Sequence, residues 1–244
     1  MTFQSYQDVM LWKPPPVKSV IGGGILHEGT KLVIFGVPKR HKSVLAQQLA
    51  FCLSVGTQWI GFPTERLVVG YVQAEVPRPM FRLRTLKMGS NQTVPNDTLY
   101  FMTNSIIKLD RDSGMKDLMR NVEKVNPKVL IIDPIYKFTT GSEESTLLHF
   151  VDNMDLLISK YGMTIVLVHH SRKPKMALSG DIVDQGGSEL RGPVIEQWAD
   201  SIIRIQGSLD SDERVLDFEL RHAEQMIAPI TVKLDRQRLW FMRV

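Results

Sequence analysis

The sequence is poor in cysteine, in long apolar runs and in repetition, and each shortage excludes a class of protein. Cys52 is the only cysteine among 244 residues, so no intrachain disulfide can form and nothing points to an oxidising compartment. It falls in an apolar stretch with helical spacing, 44–55, which predicts a buried structural thiol. The longest apolar runs, 31–37 and 163–168, are strand-sized and far short of the ~20 residues a membrane span needs. The opening MTFQSYQDVMLWKPPPVK has neither the basic start nor the apolar run of a secretory signal. The expectation is a soluble, intracellular, cytoplasmic chain with no membrane partner. No internal repeat or low-complexity tract occurs.

What is present is an ordinary globular balance: 43% hydrophobic and 23% charged residues with a net charge of +4. That composition can bury a sizeable core. The positive tilt favours a polyanionic partner only mildly, so the placement of the charges has to decide.

Pro14-Pro15-Pro16 favours an extended segment, and residues 1–20 read as an arm or linker before a domain at 21–244. Gly22-Gly23-Gly24 reads as a flexible turn, because no helical pattern follows it at the distance a phosphate loop needs. Apolar, β-rich runs then occur at 31–35, 67–73, 99–103, 129–132, 164–168 and 201–205. Helical patterns fall between them at 43–55, 79–88, 114–125, 145–161 and 188–198. Strands apolar on both faces, joined by helices, predict an α/β fold with a mostly parallel central sheet flanked by helices. After residue 201 the helical patterns stop, and 214–220, 230–234 and 239–243 predict C-terminal antiparallel strands at one edge.

The predicted strand at 31–35 runs into Gly36-Val37-Pro38-Lys39-Arg40-His41-Lys42-Ser43, with a helix opening at Val44. Strand, tight loop, Lys-Ser and helix N-terminus is the layout of a P-loop. Backbone N–H groups and the positive end of the helix dipole would cradle a phosphate. On this reading Gly36, Pro38, Lys39, Arg40, His41, Lys42, Ser43 and Val44 hold the nucleotide. Lys42 bridges the β- and γ-phosphates, and the Ser43 hydroxyl ligates Mg²⁺. His41 stands where the usual second glycine would be, so it must tolerate that backbone conformation or the loop must bend differently.

Val129-Leu130-Ile131-Ile132-Asp133 places an acid at the C-terminal end of a strand, the edge where open α/β sheets bind ligands. Asp133 is the second expected Mg²⁺ residue, direct or through water. Glu75 ends the strand after the P-loop helix, where a carboxylate can orient and partly deprotonate an attacking water.

With these residues in order, the chain resembles the RecA-like P-loop NTPases and, more narrowly, the hexameric replicative helicases of the DnaB and plasmid RepA type. The most specific stretch is Ser188-Glu189-Leu190-Arg191 followed by Ile195-Glu196-Gln197-Trp198-Ala199-Asp200-Ser201-Ile202, similar to a signature of that group. The resemblance places the catalytic glutamate on Glu75, the metal-site aspartate on Asp133 and the P-loop lysine on Lys42. The polar sensor falls on His170, with His169 as the alternative, and the trans-acting basic residue on Arg221. His41 departs from the family's P-loop, and Arg221-His222-Ala223 offers one arginine where the family often has Lys-x-Arg.

The resemblance also implies ATP and Mg²⁺ as cofactors, a hexameric homo-oligomeric ring, and single-stranded DNA gripped by loops at 138–145 and 171–187. Arg172, Lys173 and Lys175 in the second loop would track phosphates electrostatically. Three functions follow in order: an ATP-driven motor on single-stranded DNA, an ATPase switch controlling assembly with a protein partner, and a small-molecule kinase. The kinase has no role for the 188–202 signature or the terminal strands.

Overall fold

The computed structural model describes residues 3–14, 16–103, 107–170, 175–176, 182–184 and 193–244. In chain order the elements are α1 (Tyr6–Leu11), β1 (Ser19–Ile21), β2 (Leu26–His27), β3 (Lys31–Gly36), α2 (Lys42–Val55), β4 (Val69–Gln73), α3 (Arg78–Gly89), β5 (Leu99–Thr103), α4 (Asp112–Val125) and β6 (Val129–Asp133). Then follow α5 (Ile135–Phe138), α6 (Glu144–Tyr161), β7 (Thr164–His170), β8 (Lys175–Met176), β9 (Ile182–Asp184), α7 (Pro193–Trp198), β10 (Ser201–Gln206), β11 (Glu213–Leu220), β12 (Ile230–Asp235) and β13 (Trp240–Arg243).

One nine-stranded sheet organises the domain, in the order β13-β12-β11-β10-β3-β7-β6-β4-β5. From β10 through β5 every neighbouring pair is parallel, while β10, β11, β12 and β13 form an antiparallel meander. Central strands such as β4 and β6 are buried along their whole length. That is why they read as continuous apolar runs rather than alternating ones.

Two cores cover the two faces. One packs α2 and the meander, through Leu45, Leu49, Ile203, Leu216 and Phe241. The other packs α4, α6 and α7, through Leu118, Phe150, Leu157, Ile195 and Trp198. Helix ends follow from single residues: Gly56 (φ 79°) and Gly162 (φ 63°) take left-handed caps, a conformation that costs a glycine little.

The 195–202 stretch has a clear structural role. Asp200 accepts a hydrogen bond from the Lys31 backbone N–H at 3.1 Å and, through its own N–H, donates to Lys31 O. It thereby ties the start of β10 to the start of β3. Trp198 donates to Asp155 at 2.8 Å and lies under the Lys31 ammonium.

Several boundaries differ from the sequence reading. A short helix, α1, forms within residues 1–20, closed by a reciprocal Ser5–Asp8 capping box; its six residues are too few for a periodicity argument. The glycine run makes the β1–β2 turn, with φ 73° at both Gly23 and Gly24. β7 continues past 168 to include His169 and His170. Phe138 and Thr139, expected at the start of a channel loop, are buried, and Lys108 fastens that backbone by donating to Lys137 O and Thr139 O.

Candidate nucleotide-binding site

The loop between β3 and α2 is shaped by close contacts and by two left-handed residues. A Cβ on Gly36 would stand 2.4 Å from Ile205 O, so β10 approaches β3 too closely for any side chain there. Lys39 (φ 63°) and His41 (φ 64°, ψ 26°) both adopt positive φ, at a cost of roughly 1–2 kcal/mol for a residue with a Cβ. His41 therefore keeps the glycine-like backbone that the sequence left open. It is the N-cap of α2, and its carbonyl accepts from Val44 and Leu45.

Lys39, Arg40, His41, Lys42, Ser43, Val44, Glu75, Asp133 and His170 together line a cavity of about 320 Å³ at the C-terminal edge of the sheet. Of the residues expected to hold the nucleotide, Gly36 is buried at the end of β3 and Pro38 is exposed on the loop. Arg84 also lines the cavity.

Lys42 is 4% exposed and donates to Val37 O at 2.8 Å. Burial lowers its pKa to about 8, against the opposing pull of Asp133 and Glu75. An ammonium so placed is short of negative charge, which a phosphate would supply.

Asp133 is buried and receives two hydrogen bonds, from Ser43 Oγ at 2.9 Å and from the Tyr71 hydroxyl at 2.5 Å. Burial raises its carboxyl pKa, and those two bonds oppose the rise. Ser43 and Asp133 offer hard oxygens on facing elements, a donor set that fits Mg²⁺, which takes one or two protein oxygens and completes its shell with phosphate and water.

Glu75 stands just past β4 on a turn closed by Gln73. The buried Gln73 amide accepts from Val76 N–H and donates to Val76 O, each at 2.9 Å. Tyr136, at the start of α5, hydrogen-bonds to Glu75; burial and the Glu75 charge push its hydroxyl up to about 12. Its ring lies 5.2 Å from the His170 ring, so Tyr136 joins the expected base to the expected sensor. His169, the alternative sensor, is buried and lines a different cavity together with His170.

Tyr71, Arg84, Tyr136 and Arg214 were not read from the sequence. Arg84 carried a usable signal, since Phe81 and Met88 are the buried positions of α3 and Arg84 lies three residues after Phe81 on the same face.

Arg221 sits at the other end of the sheet from its own P-loop. It donates to Asp200 Oδ1 at 3.2 Å and to Gln197 O at 3.2 Å, beside the first residues of β3 and β10. Arg172, Lys173 and residues 188–191 lie outside the described residues, and Lys175 is placed only as part of β8. Among the described residues, no helix is long and apolar enough to cross a membrane.

Residues 3–176 match the family model described as AAA domain, and the chain belongs to that family of P-loop ATPases. It is similar to the DNA repair protein RadA of Synechocystis sp., 25% identical over 203 residues. That match covers 81% of this chain but only 37% of the length of the curated relative. In fold it is similar to the crystal structure of a KaiC-like protein from the hyperthermophilic archaeon Pyrococcus horikoshii, with a TM-score of 0.61 and 16% identity, over 94% of this chain and 100% of that one.

Proposed function

We propose that the chain is an ATP-hydrolysing RecA-like motor acting on single-stranded DNA, of the type found in hexameric replicative helicases. The observation that carries the ATPase part is the convergence of Lys42, Ser43, Glu75, Asp133 and His170 on one cavity at the carboxyl edge of a parallel sheet.

In this reading the P-loop N–H groups and the α2 terminus bind the phosphates. Lys42 leaves Val37 O for the β- and γ-phosphate oxygens. Ser43 and Asp133 hold Mg²⁺, which neutralises phosphate charge when bound. Glu75, on its Gln73-closed turn, orients a water for in-line attack and accepts its proton. His170, its ring tilted against that of Tyr136, faces the terminal phosphate and reports its loss along β7. Arg221, turned away from its own P-loop, would serve a neighbouring subunit's site across a ring interface.

The DNA part is supported by the relative's description as a DNA repair protein and by the basic residues Arg172, Lys173 and Lys175 on the long segment after β7. A second reading, an ATPase switch that assembles with a protein partner, is favoured by the apolar face of α1. Tyr6, Met10 and Leu11 there, and Trp12 at its C-cap, are all more than half exposed.

ATP turnover with and without oligo(dT) separates the two. Stimulation that weakens with salt supports the motor, and DNA-independent turnover supports the switch.

A further inference from the structure

We propose that Arg214 is the positioning residue of the P-loop, its guanidinium holding the His41 imidazole so that a histidine can occupy a glycine's backbone conformation. This rests on the nucleotide reading of the cavity and deepens it.

The arrangement is built from both sides. Arg214 Nη2 lies 3.1 Å from His41 Nδ1. A guanidinium can only donate, so Nδ1 accepts and the ring proton sits on Nε2. The same guanidinium is fixed from behind, with Nη1 donating to Ser211 O and Glu213 O, each at 2.6 Å. Arg214 is 1% exposed, and among the described residues no carboxylate forms an ion pair with it.

A buried arginine held by carbonyls and one imidazole is costly to keep, and its geometry serves the loop. Gly207 makes room for it: a Cβ at that position would stand 3.0 Å from Arg214 Cδ. On the other side the Phe241 ring meets the His41 ring edge-on at 6.5 Å. Phe241 is itself bolted to the P-loop helix, its N–H donating to Gln48 Oε1 at 2.7 Å and its carbonyl accepting from Gln48 Nε2 at 2.9 Å. The antiparallel meander thus reaches the phosphate loop at two places. Lysine could not replace Arg214, because an ammonium lacks the fork that reaches two carbonyls through one nitrogen and the imidazole through another.

The test is a coupling cycle read by titration with a fluorescent N-methylanthraniloyl-ADP probe, with thermal melting of every variant alongside. Arg214→Ala and Arg214→Lys should each weaken probe binding about tenfold while melting cooperatively. Adding His41→Gly to Arg214→Ala should recover most of that loss, because glycine holds positive φ unaided. If Arg214→Ala melts without cooperativity, Arg214→Lys carries the test through the same rescue. Equal weakening by the Arg214 changes with and without His41→Gly would overturn the proposal, since Arg214 would then act independently of His41. Failure of the wild-type chain to bind the probe would instead strike the nucleotide reading itself.

Discussion

Ser43 Oγ and Asp133 Oδ1 lie 2.9 Å apart across ninety residues of chain, so the end of β6 and the start of α2 meet at the pair of oxygens proposed to hold Mg²⁺. The other Asp133 oxygen takes its hydrogen bond from the fully buried Tyr71. Tyr71→Phe leaves a buried carboxylate with one donor fewer, and hydrogen bonds to charged groups contribute about 1.5–3 kcal/mol. Chemical denaturation should show a stability loss of that order at neutral pH. A variant as stable as the wild type would mean that this bond contributes nothing.

Lys42 makes the site pH-sensitive in a definite direction. Its pKa in the ligand-free fold is lowered to about 8 by burial, and a bound phosphate favours the charged form. Binding therefore takes up a proton above pH 8, and nucleotide affinity should fall as pH rises past that value. The ligand-free fold moves oppositely: the unfolded chain, with Lys42 at 10.5, binds more protons between those values, so this group adds stability as pH rises through them. Calorimetry in buffers of different ionisation heat checks the uptake directly. A dissociation constant flat from about pH 7 to about pH 9.5 would contradict it.

Much of the scaffold was legible because buried parallel strands leave continuous apolar runs. β3, β4 and β6 announce themselves, and so do the residues at or after their C-terminal ends: Lys42 and Glu75 beyond β3 and β4, and Asp133 as the last residue of β6. The α2 start lies within two residues of the Val44 opening read from the sequence, whereas the sequence leaves the left-handed backbone of His41 open and only the fold fixes it. Arg214 was not legible as a P-loop contact because it stands 173 residues from His41, and only the folding of the meander against α2 brings the two together. Tyr136 was hidden for a similar reason, since its partners Glu75 and His170 come from two different strand ends. Tyr71 looked like one more large residue in a buried strand, and only the fold puts its hydroxyl on Asp133.

Glu75→Gln keeps the size of the side chain and its place on the Gln73 turn but removes the proton acceptor. Binding of the fluorescent nucleotide should remain close to wild type while ATP turnover drops by about 10²–10⁴-fold. Normal turnover would assign the base to another group.

The most direct test of the site as a whole is steady-state release of phosphate from ATP and Mg²⁺ by the wild-type chain and by Lys42→Ala. Lys42 is the cation buried at the mouth of the P-loop, and loss of one such charge-stabilising donor costs about 10²–10³ in turnover. The wild type should hydrolyse ATP, and Lys42→Ala, still folded by its melting curve, should lose turnover on that scale. Equal turnover by the two proteins would contradict the assignment of this cavity as the ATPase site.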